Sequence, residues 1–175
     1  DNDSLNAGYR QVVNATVALS CSSGVTLTSI AATGQTTGSG SCTVVTDSPV
    51  GYSLSWIVNT GSGGTSTGYM ISQFEDTIAP LSVSVAGTPE SWSVASSDAA
   101  WGGRLSSPSH DADATWGTDN SSEQWLNVGT GSYTVNQRSS PTEGDGSTQI
   151  VEMRVEIGDD VIQPTGDYQV TVQFI

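Results

Sequence analysis

Val151-Glu152-Met153-Arg154-Val155-Glu156-Ile157 decides the fold class, because four apolar residues hold one parity and three charged residues hold the other. Successive side chains of a strand point to opposite faces, so this segment offers one apolar face and one charged face. The same period recurs along the chain. Val13, Ala15, Val17, Leu19 and Cys21 alternate with Asn14, Thr16, Ala18 and Ser20. Tyr52, Leu54, Trp56 and Val58 are separated by Ser53, Ser55 and one exception, Ile57. Tyr168, Val170, Val172 and Phe174 alternate with Gln169, Thr171 and Gln173. One apolar face per strand is the pattern of antiparallel sheets with a solvated side.

Fainter strand signals lie at residues 25–30, 42–46, 81–85, 91–95 and 133–137. So many short strands predict an all-β chain, folded as a single antiparallel β-sandwich of immunoglobulin-like or jelly-roll type. Helix is nearly absent. The best window, 94–105, is interrupted by Ser96-Ser97-Asp98 and weakened by Gly102-Gly103, which leaves a turn or two. Long polar loops are expected at 33–41, 60–68, 106–123 and 139–147. No repeat or linker divides the chain, so residues 11–175 read as one sandwich domain preceded by an arm at 1–10.

Charge narrows the partners. Eighteen acids face four basic residues, all of them Arg, for a net charge of −14. Nucleic acid needs Lys and Arg to displace its counterions, and anionic membranes recruit basic patches, so neither is an expected partner. No apolar run reaches the ~20 residues that span a bilayer, so membrane insertion is not expected. Disorder is also disfavoured: only 13% of residues are charged, and the chain carries 5 Trp and 5 Tyr.

Cys21 and Cys42, the only two cysteines, lie in strand-like surroundings without neighbouring metal ligands. We expect them to form a disulfide, which places the chain in an oxidising, extracellular compartment after removal of a signal peptide. Asp1-Asn2-Asp3-Ser4 reads as a mature N-terminus in that setting.

The residues offer little chemistry. His110, the one imidazole, sits between Ser109 and Asp111 in a polar loop, whereas a nucleophilic triad assembles groups from separate rigid elements. Most acids occupy turn contexts, as in Gly158-Asp159-Asp160, where Asp bonds its own backbone. Glu152 and Glu156 flank Arg154 as a solvated charge pairing. We therefore expect no enzyme and no cofactor. Asp111, Asp113 and Asp119 form an oxygen-rich set that suits Ca2+, although solvated turn acids account for them better. Trp101, Trp116 and Trp125 cluster in the irregular half and have two readings. Exposed, they would stack on sugars and contact glycan; buried, they would form a second small core. Asn14-Ala15-Thr16 and Asn120-Ser121-Ser122 match the N-glycosylation pattern.

Several stretches resemble secreted β-rich surface proteins of small-genome candidate-phylum bacteria. They are residues 12–21, the Cys42-to-Trp56 region, the Trp101-Gly102 and Trp116-Gly117 steps, Trp125-Leu126-Asn127-Val128, and the close from Gln163 to Val172. The resemblance implies a secreted, cell-surface protein and carries no catalytic residues. The Pro164-x-Gly166-x-Tyr168-x-Val170-x-Val172 ending is also similar to the last strand of many immunoglobulin-like modules.

These readings converge on a structural subunit of an extracellular filament, pilus-like fibre or surface coat, assembled non-covalently from copies of itself. The arm supplies a means: Leu5, Ala7 and Tyr9 recur at period two and could add as a strand to a neighbour's sheet. The alternative is a secreted glycan-binding or adhesive module that uses the Trp-rich loops.

Overall fold

The computed structural model describes residues 15–59, 67–108, 116, 123–142 and 144–175. Its strands are β1 (Val17–Cys21), β2 (Gly34–Thr46), β3 (Tyr52–Val58), β4 (Met70–Ile71), β5 (Thr77–Pro80), β6 (Glu90–Ser91), β7 (Ala99–Pro108), β8 (Gln124–Trp125), β9 (Tyr133–Arg138), β10 (Ser147–Ile157) and β11 (Val172–Phe174). A six-stranded sheet runs β1-β2-β10-β7-β5-β4, and a three-stranded sheet runs β11-β3-β9. A short β6-β8 ribbon accompanies them. Every pairing is antiparallel except β5 with β7. The chain is an all-β sandwich, as its alternation predicts.

The predicted stripes supply the core. Val151 and Val155 of β10 are buried with Leu54, Trp56 and Val58 of β3 and Val135 of β9. Trp56 has no exposed surface; its ring meets Trp116 edge-on at 5.7 Å and Phe174 at 6.4 Å. At the sheet end opposite β1, Ile71 of β4 bridges to Gln169, just ahead of β11.

Several expectations fail: the faint strand signals at 81–85 and 91–95 form no strand apart from Ser91 at the end of β6, and four others fail for identifiable reasons. The window read as a helical turn, 94–105, enters β7. Along β7, large and small residues alternate: Trp101, Gly103 and Leu105 lie opposite the inward Val155, Met153 and Val151. A count of apolar residues misses a strand whose inner face contains glycine. The loop expected at 33–41 is largely β2, which pairs with β10 from Gly34 to Val44. Its Ser, Thr and Gly side chains bury little, yet backbone pairing to a central strand needs no apolar side chain. The strand signal at 25–30 forms no strand. It crosses Gly38 and Gly40, where an added Cβ would lie within 3.1 Å of Val25, and the missing side chains make room for it. Finally, the stripe ending at Cys21 is exposed along all of β1, because β1 is the outermost strand of its sheet.

Candidate functional site

Among the described residues, two regions stand out as able to engage a partner: the outermost strand β1 and the outer face of the six-stranded sheet. Residues directly opposite in an antiparallel pair share a face. Val17 lies opposite Thr46, Leu19 opposite Val44 and Cys21 opposite Cys42. Thr46, Val44 and Cys42 are all buried on the core face. Val17 and Leu19 therefore point to the core side, yet remain 62% and 39% exposed. The sandwich stops short of its own edge strand.

Both ends of β1 are fastened to β2. A disulfide joins Cys21 to Cys42, as expected, and fits an oxidising compartment. At the other end, the Asp47 carboxylate accepts the Thr16 N–H at 2.6 Å. These bonds to the charged form lower the Asp47 pKa, the backbone bond from Thr16 most of all. The Thr46 hydroxyl donates to the Thr16 carbonyl at 2.7 Å.

The outer face is built around Arg154. Register places Ala100, Gly102 and Arg104 of β7 beside Glu156, Arg154 and Glu152 of β10. The small residues at 100 and 102 leave a shelf. The β6-β8 ribbon lays two indoles there, Trp92 and Trp125, whose rings meet edge-on at 5.2 Å. A Cβ at Gly102 would stand 3.3 Å from the Trp92 ring. Arg154 lies over Trp92 at 4.6 Å and Trp125 at 5.5 Å, while Arg104 covers Trp125 at 5.2 Å.

Carboxylates complete the set. Arg104 pairs with Glu152 at 2.6 Å and Glu123 at 2.7 Å. Glu156 accepts from Arg154 at 3.1 Å and from the Trp92 indole N–H at 2.6 Å. Burial lowers the Arg154 pKa; Glu156 and Glu123 oppose the shift, and Arg104 adds to it. A guanidinium so far above neutral pH keeps its charge. Two of the four arginines thus hold two of the five tryptophans against the sheet. In sequence, Arg154 between two Glu reads as solvated pairing, but here Glu152 turns to Arg104 and Arg154 is half-buried. The alternation at 151–157 exposes the Arg, whereas Trp92 and Arg104 reach it only through sheet order.

The glycan-contact reading of Trp101, Trp116 and Trp125 is corrected: each is at most 2% exposed, so none offers a flat stacking face. Trp101 donates to the Gly68 carbonyl at 2.9 Å and Trp116 to the Val135 carbonyl at 3.1 Å, which satisfies both indoles internally. The arm residues Leu5, Ala7 and Tyr9, the acceptor candidates Asn14 and Asn120, and the cation candidates Asp111, Asp113 and Asp119 lie outside the described residues. Among the described residues, no group of three or more His, Cys, Asp or Glu is placed to hold a metal. Likewise, no helix among them is long and apolar enough to cross a membrane.

The fold and these two regions define a disulfide-bonded β-sandwich with, among the described residues, an exposed edge strand at β1 and a polar, aromatic-walled face. Comparison with family models, curated proteins and solved structures finds no match to this chain.

Proposed function

We propose that this protein is a secreted structural subunit that assembles with copies of itself into a filament, pilus-like fibre or surface coat. The observation that carries this reading is the state of β1. An edge strand presents unpaired N–H and C=O groups, and proteins blunt such edges with Lys, Pro, inward charge or a bulge. Val17-Ala18-Leu19-Ser20-Cys21 has none of these, and its pairing to β2 runs without a register shift. Its core-side Val17 and Leu19 await cover.

A strand from a second copy answers both needs. Main-chain bonds would complete the sheet, and alternate side chains would cover the apolar strip. Residues 1–10 suit the role through Leu5, Ala7 and Tyr9, with polar residues between them. The joint is non-covalent, since these 175 residues contain no Lys to form an isopeptide bond. The disulfide and the resemblance to secreted surface proteins support an extracellular setting.

Deleting residues 1–10 tests the reading by negative-stain imaging and sedimentation. The truncated protein should fold with an unchanged circular dichroism spectrum and stay monomeric, while the full chain forms regular assemblies. Leu19→Lys, which places charge on the strip, should also block assembly. Normal filaments from the truncated protein would overturn the model, as would a full chain that remains monomeric at high concentration.

A further inference from the structure

The outer face carries a feature that assembly through β1 leaves unused. Two clefts, of about 490 Å3 and 340 Å3, lie side by side and meet at Gln35 and Arg154. Both volumes fall within the range of ~300–1,000 Å3 typical of ligand sites. They lie at the far end of β2 from the stretch that pairs with β1, so the two regions are separate.

The lining dictates the ligand. One cleft runs between Gln35 and the Trp92 wall, with Glu156 at its side; the other runs between Thr37 and the Trp125 wall, with Glu123 and Glu152. Carboxylates, a guanidinium, an amide and hydroxyls thus line the two clefts together. Two buried donors there, Nε1 of Trp125 and Nε of Arg154, have no partner among the described residues. The ring faces are taken by arginines, which makes the indoles rigid walls rather than stacking platforms.

Anions are disfavoured by three carboxylates against two arginines and by the net charge of −14. A free cation would have to displace the arginines or the Trp92 N–H that hold these carboxylates, whereas a hydroxyl needs only one of their remaining lone pairs. A molecule of vicinal hydroxyls, each both donor and acceptor, matches this mixed lining. Two adjoining clefts fit consecutive units of it.

We propose that these clefts form one binding site for a neutral oligosaccharide, spanning at least two sugar units across Arg154. The site is independent of assembly through β1.

Titration of the full chain with neutral tetrasaccharides (β-1,4-glucose, α-1,4-glucose, β-1,4-N-acetylglucosamine and β-1,4-mannose) tests this by calorimetry and tryptophan fluorescence. At least one should bind with Kd near ~1 mM or tighter. Arg154→Ala should weaken that binding by about tenfold or more, given a lost charged hydrogen bond. Because that variant removes a packed side chain, exposed Gln35→Ala is the second probe; it should fold as the native chain does and bind several-fold more weakly. No binding across the panel overturns the proposal. So does binding that Gln35→Ala and a folded Arg154→Ala both leave unchanged, and so does binding of a uronate tetrasaccharide in preference to every neutral one.

Discussion

Asp47 accepts two hydrogen bonds from Thr16, one from the backbone N–H at 2.6 Å and one from the hydroxyl at 3.2 Å. One exposed carboxylate just past the end of β2 therefore pins the residue that leads into the edge strand. Both bonds favour the ionised form, so the Asp47 pKa lies below its ordinary 3.8. The sign follows from linkage: a carboxylate with a depressed folded pKa contributes stability above its unfolded pKa and loses it as pH falls through the folded value. The start of β1 should hold at neutral pH and loosen only in acid below 3.8. Following the Thr16 amide resonance against pH checks this, with Asp47→Asn abolishing the titration. A midpoint at or above 3.8 would rule the clamp out.

The disulfide fixes the other end of the same strand. Cys21 and Cys42 lie directly opposite in register and are 21 residues apart in sequence. Closing a loop of that length is worth about 3 kcal/mol, through restriction of the unfolded chain. Urea denaturation with and without reductant should show a loss of that order. Limited proteolysis should then cut first near β1, which among the described residues has a partner strand on one side only. Equal midpoints in both conditions would contradict a structural role for the bond.

The sequence exposed some of these relationships and hid others, for physical reasons. Strands β3 and β10 were legible because each alternates against a two-sided environment, core on one side and water on the other. Residues 17–21 alternate as cleanly, but alternation reports which face is apolar and not whether another sheet covers it. Covering depends on long-range order, here β1 at one end and β4 at the other. The same limit hid the outer face. Arg104, Arg154, Trp92 and Glu123 come from four separate segments, and their charges look solvated until the ribbon folds over Ala100 and Gly102. The Trp-rich half was readable as either surface or core, and local sequence could not choose. Backbone carbonyls at Gly68 and Val135 satisfy two of its indoles, and neither is near in sequence.

Gly103 carries the last prediction, because its missing side chain is what lets β7 cross the Trp56 ring. A Cβ there would stand 3.0 and 3.1 Å from two Trp56 ring carbons and 2.9 Å from the Met153 sulfur. Met153 can swing its thioether aside, being only partly buried. Trp56 cannot yield as easily: it is fully buried, with Trp116 and Phe174 set edge-on against it. Overpacking of this kind typically costs about 1–3 kcal/mol. Gly103→Ala should therefore lower the unfolding free energy measured in urea by that amount and perturb the near-ultraviolet signal of Trp56. Gly24→Ala is the matched control, since nothing lies within 4 Å of its added Cβ. At an exposed site the same change should stay within about 0.5 kcal/mol of the native chain. Equal stability of the two variants would mean that the Trp56 ring can move, and that the core between β3 and β7 is looser than its packing indicates.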